Sequence, residues 1–454
     1  MPITAVDCRE GLAISTDVLV VGAGAAGVAA AVTAARQGMK VGLIERYGFC
    51  GGGAVAGLSG TICGMYLATD RPDATPQKAV FGFTDEFVRL LESRGGLGPP
   101  VKYGKTYTRV HDHLVWREAA DHLLHESGVH VFFHSVVTDV LLDGDKVEGV
   151  LAYTKQGKLE ARASITIDAS GDADVIAMAN FPSFIGENGR VQNPTMIFRL
   201  AGVDTERFVH EYGEDTIMPE RVTELIKAKN GHGYALPRSK IWLFSTPRPG
   251  ELLCNCTRVI GPDGRELNPL FAADFTDAEF EGRRQMREYA RFFRDHLVGC
   301  ESSFVDDTGT QVGVRQTRQG LGARKLMNHD VIEGRKFADG IARSPWPIEL
   351  HSGSKPRVEW LLDDVYEVPY GCFVPERGEN LLFAGRCLSA EHEAVASARV
   401  TAQCFSYGHA IGHAAAIAVR DRMRPREIRG EDLRMVLNRD GAQLGAPSAA
   451  AVTA

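Results

Sequence analysis

The stretch RYGFCGGGAVAGLSGTICGMY, Arg46 to Tyr66, sets Cys50 and Cys63 thirteen residues apart among glycines. Two thiols could form a redox pair, whereas glycines at this density let the backbone close on a bound cofactor. Cys254 and Cys256, in ELLCNCTRVI, alternate along a strand and share a face, about 7 Å apart, too far for an easy disulfide. Two thiolates alone make no metal site. In His111-Asp112-His113, Asp112 reads as the N-cap of a helix from His113 to Ser127 that Gly128 ends, with Trp116 in the core. With no third ligand nearby, no metal is expected. Arg315 and Arg318, in QVGVRQTR, stand three apart, which shares a face if the segment is helical. Two arginines can clamp a carboxylate, and internal ion pairs are their other use.

These residues need a scaffold, and its first element is legible. DVLVVG is a short β-rich run and Ala25 to Gln37 an Ala-rich helix. Between them Gly22, Gly24 and Gly27 form G-x-G-x-x-G, which allows a tight turn, close approach to a pyrophosphate and close helix packing. Ala31 and Gly38 follow at regular steps, and a second strand, Lys40 to Ile44, delivers Glu45 where a ribose hydroxyl needs an acceptor. A carboxylate there favours FAD or NAD over NADP. No second G-x-G-x-x-G occurs. Ser135 to Leu142 and Val150 to Ser164 read instead as strands of a β-meander, turning at Asp143-Gly144-Asp145 and near Gln156-Gly157. ITIDASGDADV then ends a strand in small residues that backbone could use to approach a cofactor.

The chain has 454 residues, enough for two or three lobes, and a formal net charge of −7. That charge lacks the basic stripe of a nucleic-acid binder. Nine scattered cysteines do not make a disulfide framework, so reduced thiols and a cytoplasmic setting are expected. MPITAVDCREGLAIST does not read as a secretory signal. The most apolar helix, Ala394 to Val419, carries Arg399, Gln403, His409 and His413, so no membrane span is expected.

DVLVVGAGAAGVAAAVTAARQGMKVGLIER, GFCGGGAVAGLSG, TIDASGDADV, QVGVRQTR and ENLLFAGRCLSAEHEAVASARVTAQCFSYGHAIGHAAA occur in this order. Together they resemble the FAD-dependent oxidoreductases of the glutathione-reductase-like superfamily, in the branch near the fumarate reductase and succinate dehydrogenase flavoproteins. The resemblance implies an α/β fold: a Rossmann-like FAD-binding domain, parallel sheet plus β-meander, with a second α+β substrate domain. The FAD domain would be discontinuous, residues 1–70, 105–180 and 366–437. Residues 181–365 would form the substrate or cap domain, 71–104 a loop-rich active-site cover around one short helix, and 438–454 a flexible tail.

It further implies that Gly22, Gly24, Ala26 and Gly27 hold the pyrophosphate of FAD. Glu45 would hold the adenosine ribose with Arg46 beside it, and Gly52 and Gly53 would approach the ribityl chain. Val137 would present backbone to adenine, with Ala169 and Gly171 nearby, and Gly385 and Arg386 would meet the pyrophosphate and ribityl side. A late helix starting near Ala396 or Ser397 would aim its positive end at the flavin pyrimidine.

In the family, Glu391-His392-Glu393 crosses the flavin. His392 is therefore the expected proton donor or acceptor, more basic if both carboxylates face it, and otherwise a helix cap or a hydrogen bond to flavin. Arg399 would reach the same pocket or pair with Glu393, and Arg315 would lie where the substrate domain returns to the flavin. Relatives that tether FAD use a histidine after the ribose carboxylate, and residues 46–66 contain none, so FAD is expected to be noncovalent. Disulfide reductases of the superfamily place their cysteines five apart, after the glycines. Here Cys50 precedes them, so the segment reads as a cradle.

The expected function is hydride transfer between noncovalent FAD and a small organic substrate, with a carboxylate as the hypothesis. Its electron partner is open: oxygen, quinone, NAD(P)H or protein. A flavoprotein subunit passing electrons to a protein partner is the alternative, and an RNA-modifying flavoprotein is disfavoured by the acidic charge. A homo-oligomer is compatible with the chain.

Overall fold

The computed structural model describes residues 12–351 and 356–445. The N-terminal segment with Cys8 and the last nine residues of the expected tail lie outside the described residues.

The apolar run at the start of the chain forms β1 (Leu12–Val21), which feeds α1 (Ala25–Arg36) and returns as β2 (Val41–Ile44) parallel to β1. A third parallel strand, β3 (His130–Phe132), follows α2 (His113–Glu126) and pairs with β2. Asp112 caps α2 by accepting from the N–H groups of Leu114 and Val115, and Trp116 is fully buried. The meander β4 (Val136–Asp143), β5 (Lys146–Thr154) and β6 (Gly157–Asp168) completes the sheet, in the order β3-β2-β1-β6-β5-β4. β6 is antiparallel to β5 over its first half and parallel to β1 throughout, while its end also pairs in parallel with Leu381–Phe383. A strand from late in the chain thereby enters the sheet beside the G-x-G-x-x-G turn.

α3 (His392–Ala398) and α4 (Thr401–Asp421) replace the single late helix of the sequence reading. The break falls at Arg399–Val400, where Val400 is extended (ψ 163°). Carbonyls freed there are taken up by the next helix: Tyr407 Oη donates to Ala398 O at 2.8 Å and Cys404 Sγ to Arg399 O at 3.3 Å. The helix start near the candidate flavin site is thus Thr401, not Ala396 or Ser397. Gly408 and Gly412 of α4 press against α1, where a Cβ would lie 2.0 Å from Ala26 O and 2.6 Å from Ala30 O.

The second lobe carries a four-stranded antiparallel sheet, ordered Trp242–Ser245, Leu252–Asn255, Phe198–Ala201, Phe304–Thr308, and the long helix Ala272–His296. Its apolar core draws on residues 196–312. Leu326, Val331, Phe337 and Ile348 belong instead to the core of the first lobe, so the chain returns there earlier than residue 366. QVGVRQTR is not helical, and its end enters the strand Arg318–Gly320. Within 71–104 the expected short helix is Phe83–Ser93, but Leu97–Tyr103 forms a strand on Thr106–His111 despite Pro99 and Pro100. It is an edge strand of its sheet, where a missing N–H is tolerated. The start of the tail is tied down: Leu444 is buried, and its carbonyl accepts from Arg343 and Arg434.

Candidate functional site

One cavity runs from the glycine turn into the second lobe, and most of the expected site residues line it. Gly22 has φ +98°, and a Cβ there would lie 2.5 Å from Ala169 O. Gly27 leaves no room either, with Gly22 O at 1.9 Å from its would-be Cβ. It is a packing contact of helix on turn and does not line the cavity. Gly24 and Gly53 face open space: a Cβ at Gly24 would meet only Gly52 Cα at 4.0 Å, and one at Gly53 nothing within 4 Å. α1 starts without a side-chain cap or an acidic residue in its first turn, so its free N–H groups and positive end are left for an anion.

Glu45, at the end of β2, lines the cavity with each carboxylate oxygen anchored once. Ala23 N–H donates to Oε2 at 2.6 Å and Tyr47 N–H to Oε1 at 2.9 Å. Lone pairs remain for a ribose hydroxyl. Arg46, beside it, donates to Gln311 at 3.0 Å. On the opposite wall Ala169 and Gly171 follow β6, and Gly385 and Arg386 follow Leu381–Phe383. Arg386 is braced by Gly171 O (2.9 Å), Val314 O (2.5 Å) and Asp172 (2.5 Å). A cradle with open backbone, a helix N-terminus and a ribose-height carboxylate fits the diphosphate half of FAD.

Beyond Gly52 and Gly53 the cavity passes the start of α4, at Val400 and Thr401, and reaches a chamber roofed by the second lobe. Arg315 is buried there, donating to Asn193 O at 2.7 Å and Asn255 Oδ1 at 3.3 Å. Arg399 donates to Gln192 at 3.3 Å, and its buried Nε has no partner among the described residues. Burial pushes Arg399 down to about 10 and Arg315 well below the usual range, the latter aided by repulsion from Arg238 and Arg399. Both amide atoms of buried Asn193 also lack partners among the described residues. Arg318 points elsewhere, to Asp174 at 2.9 Å, so the two arginines do not form a joint clamp.

A carboxylate answers these cations. Tyr103 Oη donates to Glu349 Oε1 at 2.8 Å, and His351 Nε2 lies 3.7 Å from that oxygen. Arg238 donates to His351 Nδ1 at 3.2 Å, which makes Nδ1 the acceptor and places the proton of the neutral ring on Nε2. Burial opposes the charge on Glu349, but His351, the Tyr103 hydroxyl and Arg238 outweigh it and hold the carboxyl at about 2. Burial and Arg315 keep His351 neutral. Glu349 and His351 flank Leu350 at the strand Ile348–Leu350, so they share a face. That polar alternation in WPIELHSG was the available sequence signal, and it was missed.

Four expected site residues are not brought together with the rest. His392, the first residue of α3, lines a separate side cavity with Glu187, Arg190 and Glu266, behind His351. Its flanking carboxylates are engaged elsewhere, Glu391 by Asn328 N–H at 2.7 Å and Glu393 by Arg357 at 2.5 Å. Burial lowers its affinity for a proton. Val137 packs in the meander. Ser397 bonds Trp346 O at 2.6 Å and Tyr366 at 2.7 Å. Gly27 is the fourth. Cys50 is buried outside the cavity lining, whereas Cys63 lines the chamber with burial raising its thiol to about 11.

No helix among the described residues is long and apolar enough to cross a membrane. No curated protein matches the sequence. Among solved structures, the flavin-dependent brominase Bmp2 is similar at 14% identity and a TM-score of 0.50, covering 94% of this chain and 84% of that one. The p-nitrophenol 4-monooxygenase PnpA from Pseudomonas putida DLL-E4 follows at 12% identity, TM-score 0.49 and coverage of 93% and 84%. A geranylgeranyl bacteriochlorophyll reductase-like protein from Thermoplasma acidophilum has 13% identity, TM-score 0.46 and coverage of 97% and 95%. A family profile described as FAD dependent oxidoreductase matches residues 17–437, from β1 to the last helix. With that match spanning both the cradle and the chamber, the chain belongs to the FAD-dependent oxidoreductases and is an enzyme of that class.

Proposed function

We propose that this enzyme transfers a hydride between noncovalently bound FAD and a small carboxylate-bearing substrate held in the arginine chamber. One observation carries the reading: among the described residues, Arg238, Arg315 and Arg399 gather around one carboxylate, Glu349, which leaves an excess of buried positive charge. Buried charge without a partner is costly, and a substrate carboxylate would supply one. Arg315 and the free Nε of Arg399 are the donors for that anion. FAD, when bound, takes or gives the hydride. Glu349, ionised and oriented by Tyr103, accepts the proton released when the substrate gives its hydride to the flavin. His392 lines the side cavity behind His351 and is not part of the chamber lining.

The test is anaerobic mixing of the FAD-loaded enzyme with small hydroxy-, amino- and unsaturated carboxylates and their methyl esters or amides. Bleaching of oxidised flavin by an acid but not its ester supports the reading, as does reoxidation of reduced flavin with the same selectivity. Equal responses to acid and ester would defeat it. Acid precipitation is expected to leave the flavin in the supernatant.

A further inference from the structure

His409 and His413 stand one turn apart on α4, with side chains only 5% and 3% exposed. Their Nε2 atoms lie 2.7 and 2.8 Å from one oxygen, Oδ2 of Asp440. The three donor atoms all fall within 4.8 Å of one another. Asp440 is the C-cap of the helix α5 (Gly430–Arg439), and its side chain is 53% exposed. Two imidazoles from one rigid helix face and one carboxylate therefore converge with a side open to water.

The surroundings keep this arrangement free for a cation. Gly82 (φ +77°) gives the His409 ring its space, since a Cβ there would lie 3.1 Å from Nδ1. Arg36, which feels the charge of Asp440, is engaged by Glu86 at 2.7 Å. None of the three residues lines the FAD cavity.

We propose that His409 Nε2, His413 Nε2 and Asp440 Oδ2 form a zinc site with water in the fourth position. Two nitrogens and one carboxylate oxygen match the ligand set of a borderline divalent ion, and i,i+4 spacing presents both imidazoles on one face. Ligand atoms about 2.0–2.1 Å from a tetrahedral ion stand roughly 3.3 Å apart. Asp440 must withdraw by about half an ångström, which its half-exposed side chain permits, and the two imidazole nitrogens, now within 4.8 Å of each other, must take up the same spacing. The ion would clamp α5 and the segment after it to α4, the helix whose start lines the FAD cavity.

The experiment uses untagged, FAD-loaded, chelator-treated enzyme, titrated with zinc chloride by calorimetry and analysed for retained metal after gel filtration. One equivalent per chain is expected, with a rise in Tm that chelator reverses. Asp440→Asn keeps an acceptor for both imidazoles but is a poor ligand, and His413→Gln removes one nitrogen. Each should weaken zinc binding by about 100-fold or more while flavin content stays unchanged. Absence of stoichiometric zinc in the parent enzyme overturns the proposal. Zinc bound equally well by parent and Asp440→Asn overturns it too, since the metal would then lie elsewhere. Neither readout depends on the carboxylate substrate, so this site stands or falls separately from the proposed reaction.

Discussion

Tyr103 and Glu349, separated by 246 positions in the chain, meet in the buried chamber where the phenol donates to the carboxylate at 2.8 Å. Glu349 titrates low because that bond, His351 and Arg238 overcome the burial that would otherwise raise it. Tyr103→Phe removes one donor, so the Glu349 carboxyl rises from about 2. If Glu349 works as the ionised base, the acid limb of the kcat/KM profile moves to higher pH in this variant, with flavin content unchanged. An unmoved limb would separate Glu349 from the proton step.

Arg315→Met removes a buried guanidinium aimed into the chamber without touching the cradle. Loss of one partner of a desolvated charge pair costs about 2–5 kcal/mol, so kcat/KM for the acid substrate should fall by about 30-fold or more. FAD occupancy, read from the absorbance ratio, should hold.

Gly53 and Gly27 separate cofactor contact from packing. Gly27→Ala would force a Cβ to 1.9 Å from Gly22 O and should cost stability as well as flavin. Gly53→Ala meets nothing within 4 Å in the protein itself, so its Tm in the flavin-free form should match the parent. Flavin affinity should nonetheless drop, because that open space is where the ribityl chain is expected. Unchanged affinity in Gly53→Ala would move the cofactor away from this wall.

Cys50 is buried, and burial pushes its thiol well above the usual range. A neutral thiol away from the cavity lining is no redox partner. Cys50→Ala should retain turnover and flavin and lose about 1 kcal/mol of stability from packing. Abolished turnover with normal flavin content would restore the redox reading of this cysteine.

His111 is fully buried, and burial lowers it to about 4. Its ordinary value in an unfolded chain is about 6.5. Between those values the unfolded chain binds the extra proton, so stability is fully present above about 6.5 and declines as pH falls toward 4. His111→Phe keeps the ring volume and removes the titration. Its Tm should fall less steeply than the parent's between pH 6.5 and 4. Parallel curves would show that His111 contributes nothing to acid sensitivity.

The cradle was legible because it is local. Glycines at 22, 24 and 27, a strand on each side and an acid at the second strand's end are set by backbone conformation and spacing, which a short window of sequence records. The Asp112 cap and the meander turns were readable for the same reason. The late helix was misread at its break, because what ends α3 at Arg399 is a hydroxyl and a thiol reaching back from α4. Composition gave no view of that.

By itself, then, the sequence determined that the chain is an α/β FAD oxidoreductase with a Rossmann-type glycine turn, and it proposed the residues around that turn. Only the tertiary structure decided what faces that cradle. Tyr103, Glu349 and His351 join the expected Arg315 and Arg399 there from distant segments of the chain, with Arg238 behind His351, and long-range packing makes neighbours of them while leaving His392 in a side cavity. Backbone geometry is written in neighbouring residues, whereas a side-chain constellation exists only where separate elements of the fold meet.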